Sequence, residues 1–296
     1  MGRKGDLLAL VDSAPGGLRT LQAALTTWSH RARIAEVHRR QDDAVGPGVR
    51  DPVPAVAVLP GAAGADDPDD EDDEDRDDPV RPVAGADDEP AESLSTAYVV
   101  VALPDRWRVV GRGHLAVSDG RRSWAGTSTL VTERDSRRAA IGDAGAIGAC
   151  LYPGAFLYRL DFTEPEPRDI EGRPCWYVAG HPRTGPAARQ GPPARPDLRL
   201  QRELAGIDHE IWFDAATGVV LRHEGSIDGE PCSTTALTDL VFDEPVRADE
   251  FRPPPGAVVR SRHELLRDHL ASMGIDPDTV DLDDPVQVRA ALRQGE

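Results

Sequence analysis

Residues 209–224 read HEIWFDAATGVVLRHE, and this stretch decides the fold class. Alternation puts Ile211 and Phe213 on one side of an extended chain, with Val219 and Leu221 on that same side across a turn. Glu210, Arg222 and Glu224 fall on the opposite side with Trp212. Between the two runs lies Asp214-Ala-Ala-Thr-Gly218, where Gly218 supplies the positive φ that a tight turn demands. The pattern is that of an antiparallel hairpin with one packed face and one partly wet face.

The same alternation extends in both directions. Asp228-Gly229 makes another turn and leads into a strand over 232–242. Upstream, residues 97–103 (AYVVVAL) are β-rich, Pro104-Asp105 turns the chain, and Trp107 and Val109 alternate with Arg106 and Arg108. Asp119-Gly120 follows a short strand over 114–118 as a hairpin signal, and residues 121–132 resume as a strand. Residues 157–163 and 175–180 read as further strands, with a turn at Ile170-Glu-Gly-Arg173. Leu18, Leu21, Ala24 and Leu25 have helical spacing and predict a short helix over 17–27, whereas residues 28–40 fit either period. After Phe251-Arg-Pro-Pro-Pro-Gly256, Leu265, Leu266, Leu270 and Met273 predict a helix, and Ser261 with Glu264 has capping-box spacing at its start. Residues 286–292 give a weaker final helix. A long meander with flanking helices and no repeated βαβ alternation makes an α+β domain.

Charge divides the chain further. Its 296 residues carry a net charge of −18, and fifteen of the acids lie between Asp66 and Glu92 against only Arg76 and Arg81. That stretch lacks aromatic residues and repels itself, so it buries too little apolar area to offset its ordering entropy. The expected organisation is an N-terminal helix and first strand over 1–42, a disordered Pro/Ala/acidic insertion over 43–94, the antiparallel meander over 95–256 and a helical tail over 257–296. A Pro/Arg-rich loop is expected over 182–197. Outside the acidic run the chain is close to neutral with no basic stripe, which argues against nucleic acid or an anionic membrane surface as partner. The apolar run Leu7–Val11 is too short for an export signal, and no run approaches the ~20 apolar residues of a membrane span. A soluble, cytoplasmic protein is expected. Cys150, Cys175 and Cys232 are odd in number and lack CxxC spacing, which argues against a disulfide scaffold.

No catalytic constellation emerges. His209-Glu210 and His263-Glu264 begin a zinc-peptidase motif, but Phe213 and Arg267 stand where the second histidine is needed. There is no nucleophile elbow and no phosphate loop, and Gly111-x-Gly113 lacks a third glycine. His209 and His223 face each other across the hairpin. With Asp208 or Glu224 they would suit metal or proton chemistry; on their own they are a cross-strand polar pair. Cys175 beside Trp176 reads as a buried thiol, and the acidic run fits no EF-hand loop. No cofactor, metal or catalytic residue is expected.

Four phrases in order carry a resemblance: Pro104-x-x-Trp107-Arg108; Asp119-Gly120 followed by Trp124; Trp212-Phe-Asp-Ala-Ala-Thr-Gly218; and Leu237-Thr-Asp-Leu-x-Phe242 leading to Phe251-x-Pro253-Pro-Pro-Gly256. Over roughly 95–256 the chain resembles the LolA-like superfamily of lipoprotein carriers, lipoprotein-sorting-like proteins and RseB-type regulators. The resemblance implies a strongly curved antiparallel sheet, an incomplete barrel, with helices over its concave side and a hydrophobic cavity between. It implies action by binding, of an acyl or lipid ligand or of a partner protein, without catalysis. Trp107, Trp124, Phe156, Ile211, Phe213, Val219 and Leu221 are the expected lining if they share that side. The alternative is that they pack against helices as ordinary core, leaving an interaction module that works through its acidic insertion or terminal helices.

Overall fold

The computed structural model describes residues 2–45, 91–134, 145–183, 206–282 and 284–294. Over these residues the chain is a mostly-sheet α+β protein, with one large, curved, unclosed sheet and few helices. Its elements are α1 (Arg3–Gly17), β1 (Thr20–His30), α2 (Arg31–Val45), β2 (Glu92–Ala102), β3 (Arg106–Gly111), β4 (His114–Asp119), β5 (Ser123–Gly126) and β6 (Leu130–Arg134). There follow α3 (Ala146–Leu151), α4 (Gly154–Leu157), β7 (Leu160–Phe162), β8 (Glu166–Ile170), β9 (Arg173–Pro182), β10 (Asp208–Asp214), β11 (Val220–Ile227) and β12 (Glu230–Phe242). A 3-10 turn at Ala248–Phe251 precedes β13 (Val258–Ser261), α5 (Arg262–Ser272) and α6 (Pro285–Gln294).

The thirteen strands make one sheet in the order β13-β6-β5-β4-β3-β2-β1-β12-β11-β10-β9-β7, with β8 paired to β9. Pairing among the described strands is antiparallel apart from β13 on β6. Strand β1 is the seam between two meanders, bonded to β2 on one side and β12 on the other. Three register shifts, in the β1/β12, β10/β11 and β11/β12 pairs, each set two residues against one. Such bulges bend and twist a ribbon.

Register also sorts the side chains. One face, the core face, carries Leu21, Ala23 and Leu25 of β1, opposite Val101 and Val99 of β2, with Trp107 continuing the row on β3. On the far side of the seam the same face carries Val178, Ile211 and Phe213. These residues form one cluster with Leu7 and Val11 of α1, Ile147 and Leu151 of α3, and Phe156 and Leu157 of α4. The opposite face has smaller clusters: Val100 and Ala102 under Phe251, and Leu115, Val117, Trp124 and Val131 over β4 to β6. A separate cluster joins Ile34 and Val37 of α2 to Ile207, Ile227 and Cys232.

Three sequence expectations change. The helix over 17–27 is strand β1, because Leu21 and Leu25 are four residues apart, a spacing that serves a helix face and a strand face equally. Ala23 between them is buried as well, which only the two-residue period explains. The strand over 121–132 is two strands, split where Thr127 Oγ1 accepts from the backbone of Thr129 and Leu130. The strand over 157–163 shrinks to Leu160–Phe162, preceded by α4. The helix starting after Ser261 is present with its capping box: Ser261 Oγ accepts from Glu264 N at 3.1 Å, and Glu264 Oε2 accepts from Ser261 N at 2.6 Å. Of the acidic insertion expected over 43–94, residues 46–90 lie outside the described residues, as do residues 184–197 of the Pro/Arg-rich loop. No helix among the described residues is long and apolar enough to cross a membrane.

Candidate functional site: the core face around His209 and His223

The β10–β11 hairpin is built from its turn. Asp214 Oδ1 accepts from Ala216 N (3.1 Å), Thr217 N (2.7 Å) and Thr217 Oγ1 (2.9 Å), while Oδ2 accepts from Arg173 Nη1 at 3.0 Å. Gly218 takes φ 73° as expected. A Cβ there would also come within 3.0 Å of the Leu10 carbonyl oxygen, so the turn is fitted against α1. Beyond the turn, Phe213 pairs with Val220 and Trp212 with Arg222, which leaves Leu221 as the unpaired residue of a bulge. Val219 and Val220 therefore both enter the main cluster, where strict alternation would have sent Val219 and Leu221.

Past the bulge the hairpin brings His209 and His223 together on the core face. His209 Nδ1 and His223 Nε2 are 2.9 Å apart, so one ring N–H donates to the other ring's lone pair. The Phe156 ring of α4 lies flat on His223, centroids 5.5 Å apart and planes 17° from parallel. Burial, and then the neighbouring His209, push His223 down from its ordinary value to about 3. At neutral pH His223 is therefore uncharged. The carboxylates that the sequence offered as companions are elsewhere: Asp208 meets His181 Nδ1 at 3.4 Å, and Glu224 accepts from Arg222 Nε at 2.6 Å. Among the described residues no group of three or more His, Cys, Asp or Glu side chains is placed to hold a metal ion. The three cysteines are buried and unbridged, and burial pushes Cys150 up to about 12, far from nucleophilic use.

The seven expected lining residues divide. Trp107, Phe156, Ile211, Phe213 and Val219 belong to the main core-face cluster. Leu221 is buried at the bulge, and Trp124 packs in the separate cluster on the opposite face, because Val117 pairs with Trp124 and with Arg108, out of step with Trp107. The sequence reading missed α1, whose Leu7, Val11 and Ala14 are buried at intervals of four and three residues, the signal that would have found it. It also missed the stacking of Phe156 on His223, which joins residues far apart in the chain. On the wet face of the same strands, Arg168, Tyr177, Trp212 and Arg222 form a ladder: Arg168 over Tyr177 (4.9 Å), Tyr177 against Trp212 (5.0 Å), and Arg222 over Trp212 (5.5 Å).

The sequence matches no protein-family model and no curated protein. Among solved structures the chain is similar to an uncharacterized conserved protein from Thermus thermophilus, at 10% identity over 88% of this chain and 99% of that one, with a TM-score of 0.41. It is also similar to a chain of the MucA/MucB complex of Pseudomonas aeruginosa, at 13% identity over 86% of this chain, with a TM-score of 0.39. Here it spans 62% of the other chain, less than two thirds of its length. A third similar structure is a DUF1329 family protein from Desulfovibrio piger, at 10% identity over 83% of this chain and 95% of that one, with a TM-score of 0.29.

Proposed function

We propose that this chain is a LolA-like, non-enzymatic binding protein that holds an apolar ligand, an acyl chain or the apolar side of a partner peptide, against its core face. One observation carries the reading. An unclosed sheet carries Trp107, Ile211, Phe213 and Val219 in one apolar cluster, and among the described residues the short helices α3 and α4 pack into that cluster alongside α1. Helices of six and four residues are weak covers, since a single turn has little intrinsic stability of its own. An acyl chain that replaced the Phe156 ring there would gain about 0.8 kcal/mol per buried methylene, so a contact of about eight methylenes outweighs the loss of that one side chain's packing.

A second reading has its own support. Ile211, Phe213, Val178 and Leu157 are fully buried by the chain's own elements, as in a filled core. In that case the protein is an interaction module. The two are separated by titrating the purified chain and its Phe156→Ala variant with N-phenyl-1-naphthylamine, an uncharged dye that brightens in apolar surroundings. Binding predicts a saturable signal that a long-chain fatty acid displaces, stronger in Phe156→Ala. A flat response in both proteins would leave only the filled-core module.

A further inference from the structure

We propose that β13 is a self-association edge: two copies of this chain pair β13 with β13 in antiparallel fashion, Val259 against Val259, and so join their sheets into one. The inference goes beyond the ligand reading, since it uses the edge of the sheet and not its core face.

The two edges of the sheet are built differently. An edge strand offers backbone N–H and C=O groups to any strand that can reach it. At the edge formed by β7 and β8, Lys4 Nζ of α1 donates to the Phe162 carbonyl at 2.5 Å and lies 5.3 Å from the centre of the Phe162 ring. Further along, Pro167 of β8 stands among Glu166, Arg168 and Asp169, all exposed. Lysine, proline and charge are the devices that keep an edge from recruiting another strand. At β13 they are missing or turned away. Among the described residues β13 has one neighbour, β6, and Leu130, Val258 and Val259 are 40%, 57% and 46% exposed. Its one charged side chain, Arg260, is held by Asp268 of α5 at 2.6 Å.

Which strand fits follows from the bonds that β13 already makes. Val258 is in parallel register with Leu130, and its N–H donates to the Thr129 carbonyl at 2.8 Å. In a parallel ladder alternate residues turn their backbone groups to the same neighbour, so Val258 and Arg260 face β6 while Ala257, Val259 and Ser261 face outward. Two of those three N–H groups are engaged within the chain: Ala257 N donates to the Pro254 carbonyl at 3.1 Å, and Ser261 N to Glu264 Oε2 at 2.6 Å. Among the described residues Val259 is therefore the position on this edge whose N–H and C=O are both open.

A longer incoming strand would set its further carbonyls against donors already used and leave them unpaired, at a cost. A second β13 brings the same restricted set. In an antiparallel hydrogen-bonded pair two facing residues exchange both N–H···O bonds, with Cα atoms about 5.5 Å apart, so Val259 and its twofold mate satisfy each other. The same register lays the apolar stem of Arg260 from one copy along Val258 of the other. Arg260 with Asp268, and Arg122 with Glu133 at 3.5 Å, keep this edge locally neutral. Repulsion between copies then comes from the net charge of −18 per chain, which salt screens.

Sedimentation velocity of the full chain tests this. The contact is small, so monomer should pass to dimer as the chain is concentrated through the micromolar range, further at high salt than at low. Val259→Pro removes the open donor without touching a bond to β6 and should weaken association by about tenfold or more, with the far-ultraviolet circular dichroism unchanged. Should that variant fail to fold, Val259→Glu, which sets two like charges opposite each other, takes its place. The native cysteines are buried, so a nitroxide on Val259→Cys reports the pairing itself. Dipolar broadening that dilution removes supports the proposal. A chain that stays monomeric overturns it, as does a dimer that survives both Val259→Pro and Val259→Glu or shows no broadening. A monomer whose Val259 amide resists hydrogen exchange also overturns it, and assigns the edge to another segment of the same chain.

Discussion

Asp214 and Gly218 show how much one turn can hold. The Asp214 carboxylate is 2% exposed, caps two backbone N–H groups and a hydroxyl, and takes the Arg173 guanidinium on its other oxygen. Asp214→Ala leaves those donors and the half-buried Arg173 without their acceptor and should cost about 3 kcal/mol by denaturant unfolding, with Asp214→Asn recovering part of it through Oδ1. Gly218→Ala should cost about 2 kcal/mol, from the left-handed backbone and the approach of Leu10. His223 adds a pH signature. Its folded-state value is lowered to about 3 against about 6.5 unfolded, so its contribution is complete above pH 6.5 and is lost as pH falls toward 3. Unfolding free energy should drop by up to about 1.4 kcal/mol per pH unit across that window, and His223→Gln should remove this slope. A slope that survives the substitution would assign acid sensitivity to other groups. At this scale the sequence was readable where local geometry dictates the residue, as at Gly218. It was not readable at Leu221, since a bulge is set by pairing between strands and leaves no mark in one strand's alternation.

Element by element, legibility followed how local the cause was. The capping box of α5 and the turn Asp228-Gly229, with φ 53° and 80°, are written within a few residues and appear as expected. Ser261→Ala should cost about 1 kcal/mol of local stability, seen as faster amide exchange through the first turn of α5 with the sheet unaffected. Strand β1 was misread because its leucines suit two periods and the choice is made by its neighbours β2 and β12, not by its own residues. The two tryptophans expected on one wall have separate duties. Trp124→Ala should destabilise by about 3 kcal/mol while leaving dye affinity as in the wild type, because Trp124 packs with Leu115, Val117 and Val131 on the opposite face. Trp107→Ala, on the core face, should change both. Equal losses of dye affinity in the two variants would refute the division of faces.

At the level of the molecule, the sheet's class and most of its strands could be read from alternation, but its closure could not. How far a ribbon curves depends on bulges, and which helices cover it depends on contacts between distant segments: Lys4 Nζ donates to the Phe162 carbonyl at 2.5 Å, and Phe156 reaches His223. Among the described residues the helices that contribute to the main cluster are α1, α3 and α4, none of which had been read as a helix from the sequence. The central claim is that the apolar surface under α3 and α4 receives a ligand. Native mass spectrometry of the full chain purified from its own host tests it most directly. The account predicts a second mass series, heavier by a molecule bearing an acyl chain or by a discrete peptide, and lost on organic extraction. A single series at the mass of the bare chain, in protein prepared at both neutral and mildly acidic pH, would contradict it.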